Sequence, residues 1–358
     1  MMFKSSLIYL AKAVAFGLVM AAVFILFTHF TGNQNGGLLQ FGNGSSELSF
    51  ASAVRKAAPA VVNIYSLSVN QDQPLNSSKL QGLGSGVIMS KEGYIITNYH
   101  VINKADEIVV AVQDGRKFSA DVVGMDPETD LAVLKIEGEN LPVVPINLKH
   151  SPRVGDVVLA IGNPYNLGQT ITQGIISATG RSGLSSRYLD FLQTDAAINA
   201  GNSGGALIDT TGSLIGINTA AYQLTNDDKA GHGINFAIPI ELAYKVMGKL
   251  IKDGRVIRGA LGISGEPVNQ VIAQILNLPD LKGIFVTNLD AGGPAAKAGL
   301  KPRDVIIKYQ NEDVTGVEMM MDRIAETKPG TKVDVQIIRD GKTMDIPVIM
   351  GEKTSRDN

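Results

Sequence analysis

The chain has 358 residues, more than one ordinary domain needs and enough for two domains with cores of their own. Its net charge of −2 comes from 32 basic and 34 acidic residues scattered along the chain, which leaves no nucleic-acid footprint. Cysteine is absent, so disulfides, thiol catalysis and Cys-based metal sites are excluded, and no pair among His29, His100, His150 and His232 has a helical metal-binding spacing. Zinc hydrolysis is therefore not expected.

The first element in chain order is apolar. After residues 1–6, which carry Lys4, Leu7–Phe27 is apolar apart from Lys12 and spans 21 residues, or about 31 Å as a helix. Lys12 lies near the entry side, where its stem can carry the charge to the headgroups. No Lys or Arg occurs from Thr28 to Val54, so the charge bias predicts a cytoplasmic N-terminus and the bulk of the chain outside. Phe27-Thr28-His29-Phe30 offers no small-x-small cleavage site, which favours an uncleaved transmembrane anchor over a signal peptide. Residues 28–47, rich in Gly, Asn and Ser, read as a flexible linker.

Residues 48–254 are dominated by short β-runs separated by turn residues. Gly84–Met89 and Tyr94–Thr97 flank Ser90-Lys91-Glu92-Gly93, a hairpin with glycine where the turn needs it. Further strands are predicted over Ile108–Val112, Ala120–Gly124, Leu131–Ile136, Val157–Ile161, Thr170–Ala178, Phe191–Thr194, Leu207–Asp209 and Leu214–Asn218. Leu242, Val246, Met247 and Leu250 then recur near helical spacing over Glu241–Asp253, with Gly254 as a stop.

Within this mainly β body, Gly201-Asn202-Ser203-Gly204-Gly205 places a serine among glycines. Without a Cβ at Gly201 or Gly204 the backbone can turn sharply, so that the amides of Gly201 and Ser203 point at one spot, an oxyanion hole. Upstream, His100 closes a β-run in Thr97-Asn98-Tyr99-His100-Val101, and Asp130 opens another in Asp130-Leu131-Ala132-Val133-Leu134. The order His, Asp, Ser is that of the double-barrel serine proteases, so two six-stranded barrels are expected. Ser203 would be the nucleophile, His100 its base and Asp130 the partner that fixes the imidazole. A lone histidine after a strand is usually structural, and an aspartate before one is usually a turn residue. Their order with the Gly-Ser motif is what carries the chemistry. Asp126 and Asp195 compete as carboxylates, but Asp130 is the one that immediately opens an apolar strand. Because the base must be a neutral imidazole, activity should fall on acidification.

These three segments, extended to Lys135 and Leu207, resemble the HtrA (Deg) family of serine proteases, and the resemblance runs from about Phe50 to about Met350. It implies a chymotrypsin-like double β-barrel, catalytic roles for His100, Asp130 and Ser203, and no need for ATP or metal. In that fold the pocket for the residue before the cut lies just ahead of the nucleophile. Here the stretch is Ala197-Ile198-Asn199-Ala200, with no acidic residue. A small apolar S1 pocket at Ala197 and Ile198, with cleavage after Val or Ala, is expected; the alternative is that Ile198 is core.

Residues 255–352 form a second unit. Strands are predicted at Leu261–Ile263, Gly283–Val286, Asp304–Ile307, Val333–Ile338 and Met344–Ile349, with helices at Gly293–Leu300 and Glu318–Glu326. Pro294-Ala295-Ala296-Lys297-Ala298-Gly299-Leu300 and Asp304-Val305-Ile306 make the unit similar to a PDZ domain of the HtrA type. Such a groove takes a chain end as an added strand and captures its carboxylate on backbone amides. The resemblance assigns the carboxylate loop to Ala260-Leu261-Gly262-Ile263, with Arg258 either a counter-charge nearby or an interdomain surface charge. Residues 353–358 remain as a C-terminal tail.

One PDZ unit plus an anchor resembles the membrane-tethered branch of the family that senses bacterial envelope stress. That likeness implies a periplasmic catalytic part on the inner membrane, a membrane-spanning anti-sigma factor as substrate, and exposed C-termini of misfolded outer-membrane proteins as activators. It also implies a homotrimer, with Phe50 resembling the aromatic that joins protomers or else making a local core contact. Arg187 is a candidate relay between the PDZ unit and the oxyanion hole; a solvated loop charge is the alternative. Two other functions stay open: a soluble periplasmic quality-control protease, and a non-catalytic peptide-binding scaffold, against which the intact triad argues.

Overall fold

The computed structural model describes residues 12, 14–26, 49–69, 78–149, 151–163, 168–181, 191–219, 233–278 and 280–353. The predicted linker, Arg187 and all but one residue of the C-terminal tail lie outside them, as do His29, His150 and His232. The chain divides into two units, Met1–Ser49 and Phe50–Asn358. In the first, residues 14–26 are helical, and every described side chain is exposed. Among the described residues no helix is long and apolar enough to cross a membrane. The predicted span, 7–27, is described only at 12 and 14–26.

The second unit opens with helix α1 (Ala51–Ala57) and seven strands: β1 (Val61–Val69), β2 (Ser78–Ile88), β3 (Tyr94–Asn98), β4 (Glu107–Ala111), β5 (Lys117–Ser119), β6 (Asp121–Asp126) and β7 (Leu131–Lys135). They pair in the order β5-β4-β1-β2-β3-β7-β6. The two end strands are separated in sequence by Ala120 alone, so the sheet has to roll until its edges adjoin. Counted as one bent strand, β5 and β6 give the six staves expected of the first barrel. Their joint is held where the Ala120 amide donates to Ile108.

The second barrel is closed. Its strands are β8 (Val157–Gly162), β9 (Thr170–Arg181), β10 (Phe191–Thr194), β11 (Ala206–Asp209), β12 (Leu214–Thr219) and β13 (Asn235–Pro239), in the order β10-β13-β12-β11-β8-β9. Alternation along each strand sends one set of side chains inward and the other outward. In β8, Val158 and Ala160 join Leu207, Ile215 and Ala237 in one apolar cluster. Leu159 and Ile161 instead join the larger core that continues through Val87, Leu131 and Val133 of the first sheet. Both faces are thus buried, and the barrels share a wall.

A helix predicted to close this body does so. After α2 (Tyr99–Ile102), α3 runs over Ile240–Asp253 and buries Ala243, Val246, Met247 and Leu250. Gly254 ends it at φ 71, its amide donating to Leu250; a left-handed cap of this kind favours glycine.

The remainder is an α+β unit. Strands β14 (Gly259–Ala260), β15 (Ile263–Pro267), β16 (Ile284–Leu289), β17 (Val305–Tyr309), β18 (Glu312–Asp313), β19 (Lys332–Arg339), β20 (Lys342–Ile349) and β21 (Gly351–Glu352) are interleaved with α4 (Gln270–Leu276), α5 (Pro294–Ala298) and α6 (Val317–Glu326). The main sheet runs β15-β16-β17-β19-β20, which leaves β15 at an edge. Helices α5 and α6 match the predicted segments. Helix α4 was not predicted, although Asn269 marks its start by accepting from the Ile272 amide.

Candidate active site

The short helix α2 turns the chain at the end of β3 and carries His100. Asp130, in the turn just ahead of β7, grips α2 by both its backbone and its side chain. Its carbonyl accepts from the Tyr99 amide at 3.0 Å and from Asn98 Nδ2 at 2.9 Å. Its carboxylate accepts from the His100 amide at 3.0 Å, and Oδ2 lies 2.8 Å from His100 Nδ1. An ionised carboxylate is an acceptor only, so Nδ1 is the donor in this bond, and in the neutral imidazole the lone pair is then on Nε2. Asp130 is 5% exposed and sits at φ 53, a left-handed conformation that costs a non-glycine residue roughly 1 kcal/mol. The pairing of β3 with β7, in register at Asn98 and Leu131, holds it there.

Ser203 is also buried, at 4% exposure, on a loop built from reciprocal backbone bonds. The Asn202 amide donates to Asn199 and the Gly205 amide to Asn202, while Gly204 and Gly205 exchange bonds with Asn218 of β12. Gly201 and Gly204 adopt φ 99 and φ 81. A Cβ at Gly204 would lie 2.1 Å from the carbonyl oxygen of Ser85 and 2.3 Å from Thr97 Oγ1. The glycine is therefore needed for space as well as for its dihedral, and its absent side chain lets the loop sit against the strand that leads to His100. Thr219, next to Asn218, closes the circuit: its Oγ1 lies 3.2 Å from Asp130 Oδ2. The serine loop and the His100–Asp130 pair are thus tied together through β3 and β12. Thr219 had no signal in the sequence, because strand pairing alone brings it to Asp130.

The competing carboxylates are used elsewhere. Asp126 accepts from Thr129 Oγ1 at 2.6 Å, and Asp195 accepts from the Ile175 amide at 2.7 Å. Of the two predicted pocket residues, Ala197 is exposed, and its carbonyl accepts from Thr172 Oγ1. Ile198 is 2% exposed inside the apolar cluster of the second barrel.

In the C-terminal unit, Ala260 pairs with Gly351, and the carbonyl of Leu261 accepts from Ala295. Gly262 sits at φ 69, its carbonyl accepting from Asp290, and Ile263 opens the edge strand β15. Arg258 does not face this loop. Its guanidinium forms a bidentate pair with Asp126 at 2.9 and 2.7 Å and reaches Glu128 at 3.3 Å. With Asp126 buried and Arg258 mostly covered, at 4% and 11% exposure, the cation is committed to the turn that precedes Asp130. The pair spans the two domains as the second reading has it, but as a nearly covered ion pair and not a surface charge. Lys353 and Glu128 add a contact at 2.7 Å, and Lys245 and Glu326 one at 2.8 Å between α3 and α6.

Comparison with known proteins agrees with this division. Residues 84–217 match the trypsin-like peptidase domain family and residues 259–350 the PDZ domain family. The chain is 49% identical over 347 residues to the serine endoprotease DegS of Escherichia coli (strain K12), covering 96% of this chain and 98% of that protein. The chain belongs to the HtrA family of serine endoproteases. An HtrA-type structure, the protease AlgW with decapeptide, superposes with a TM-score of 0.77 at 44% identity, covering 86% of this chain and 99% of the other. A further HtrA relative, from Chlamydia trachomatis, is named a probable periplasmic serine endoprotease, DegP-like; it is 43% identical over 276 residues, 76% of this chain and 55% of that protein. The HtrA chain described here is accordingly a serine endopeptidase of mainly β architecture with a PDZ domain.

Proposed function

We propose that this chain is a membrane-anchored periplasmic endopeptidase whose cutting of a membrane-spanning anti-sigma factor is switched on by C-terminal peptides of misfolded outer-membrane proteins. The observation that carries the catalytic part is the His100–Asp130 bond at 2.8 Å beside a buried, glycine-shaped Ser203 loop. Ser203 Oγ attacks the scissile carbonyl as His100 Nε2 takes its proton. Asp130 keeps Nδ1 protonated and stabilises the imidazolium. The amides of Gly201 and Ser203 receive the oxyanion. His100 then returns the proton to the leaving amine, and water repeats the sequence on the acyl-enzyme.

The regulatory part rests on the free edge of β15. An added strand finds unpaired backbone groups there, with the Ala260–Ile263 turn at its head and α6 alongside. A peptide activates only if it binds the active arrangement better than the resting one. The apolar run 7–27 supplies the anchor, with the charge bias of its flanks setting the orientation. Phe50 is only partly buried against the protease core, which leaves it able to make a contact between protomers as well.

The test is peptide-stimulated cleavage by the full-length protein in detergent, with and without the residues after Arg258. Ser203→Ala should lower kcat by roughly 10⁶, and removing the PDZ domain should abolish the response to peptide. An unchanged rate in Ser203→Ala would end the protease reading. A second reading, a soluble periplasmic quality-control protease, takes its support from the 43% identity to a DegP-like periplasmic endoprotease. The size of the mature protein and its extraction from membranes separate the two.

A further inference from the structure

Ser85 stands in β2, fully buried, between two glycines. It belongs to the first barrel, yet its bonds reach the nucleophile loop of the second. Its amide donates to the carbonyl of Ser203 at 2.8 Å. Its hydroxyl donates to the carbonyl of Gly201 at 2.7 Å and accepts from the amide of Asn163 at 3.0 Å. Its own carbonyl accepts from Thr97 Oγ1 at 2.7 Å, two residues before Tyr99 begins the turn that carries His100. The flanking glycines serve close packing within the first barrel: a Cβ at Gly84 would strike Val101 at 2.5 Å, and one at Gly86 would strike Ile64 and Ile95 at 2.8 Å.

We propose that Ser85 is a positioning residue for the oxyanion-binding turn. The argument rests on the reading that the amides of Gly201 and Ser203 hold the oxyanion. Those two donors belong to the peptide planes 200–201 and 202–203. The plane between them, 201–202, carries the carbonyl that Ser85 Oγ holds. Rotation of that plane swings one donor away from the other, and at Gly201, φ 99, no Cβ resists such a rotation. A serine hydroxyl has one proton to give, and here it goes to the Gly201 carbonyl. The accepted bond from Asn163 aims the oxygen from the opposite side. Ser85 therefore acts on the reaction through Gly201, without touching substrate.

The experiment compares wild type, Ser85→Ala and Ser85→Cys in the full-length protein, with fluorescently labelled casein as substrate. Competent sites are counted by complete reaction with a fluorophosphonate, so that an unfolded fraction lowers the count and not the turnover per site. Ser85→Ala should lower kcat per titrated site by roughly tenfold to a hundredfold, less than the loss of an oxyanion donor itself. KM should stay within about twofold, because the interaction is made in the transition state. Ser85→Cys keeps a weak donor and should fall between the two. A peptide boronate, whose tetrahedral adduct fills the oxyanion site, should lose affinity by a similar factor. If Ser85→Ala lowers only the melting temperature and leaves kcat per site intact, the positioning role is wrong. Should that variant fail to fold, an unchanged kcat in Ser85→Cys overturns it instead. Cleavage that survives in Ser203→Ala would bring down the underlying reading of the site, an outcome distinct from both.

Discussion

The nucleophile loop and the edge of the PDZ sheet use similar backbone devices to opposite ends. Each has a glycine at positive φ, Gly204 at 81 and Gly262 at 69. Around Gly204 every approach is occupied: a Cβ there would meet the Ser85 carbonyl at 2.1 Å, and the neighbouring amides and carbonyls are bonded to β12 and to Ser85. Strand β15, by contrast, is paired to β16 on one side and ends the sheet on the other. A catalytic turn has to be over-determined, since its donors must be in place before charge develops. A recognition edge has to be left incomplete, since the ligand supplies the missing strand.

That contrast can be broken most forcefully at Asp130. Asp130→Asn keeps the shape of the site but presents a donor to Nδ1, and kcat should fall by about 10⁴ while the fold and peptide binding persist. Retained activity would mean that the grip on His100 is dispensable. Next in size is the contact that joins the two regions. Arg258→Ala leaves the buried Asp126 carboxylate without its cation and should destabilise the chain by roughly 3 kcal/mol, read as a lower melting temperature. Arg258→Lys, a point charge in place of a fork, should recover part of it. No change on loss of the arginine would show the pair to be incidental.

A smaller effect sharpens the catalytic side. Thr219→Val removes one hydrogen bond to Asp130, worth about 1 kcal/mol or roughly a fivefold loss in kcat, with peptide affinity unchanged. A drop in peptide affinity alone would contradict the placement. The smallest effect lies at the domain contact in acid. Burial raises the Glu326 pKa, but hydrogen bonding and charge from Lys245 and Lys249 outweigh it and hold the carboxyl below its ordinary value. A carboxyl lowered in the folded state stabilises above its unfolded pKa and loses that contribution as pH falls through the folded one. The α3–α6 contact should therefore weaken on acidification below the usual glutamate range. Half-exposed as Glu326 is, the effect should be about 0.5 kcal/mol or less. Lys245→Ala should flatten the pH dependence; an identical slope would assign it elsewhere.

Much of this was readable in the chain. Alternating β-runs, the helix closed by Gly254 and the glycine-bracketed Ser203 are local patterns, and local sterics and periodicity write them directly into residue order. His100 and Asp130 stood out because chemistry of this kind has a fixed chain order, and the PDZ unit because its proline–glycine helix has few alternatives. Helix α4 was not predicted: seven residues, Gln270–Leu276, are too short a run for periodicity to declare, even with Asn269 at the cap.

Residue order could not reveal which partners distant side chains would find. Arg258 could equally have served the carboxylate loop; only the packing of the two domains presents Asp126 to it. Ile198 reads as pocket wall or as core in a linear motif, and only the closing of the second barrel shows which apolar side chains it packs with. Ser85 and Thr219 carry no local mark, because their roles depend on bonds to residues 116 and 89 positions away. Covalent neighbours fix dihedrals and alternation, so the sequence set the elements and the reactive groups. Convergence of groups from separate strands depends on how sheets roll and dock, and that was decided by the tertiary fold.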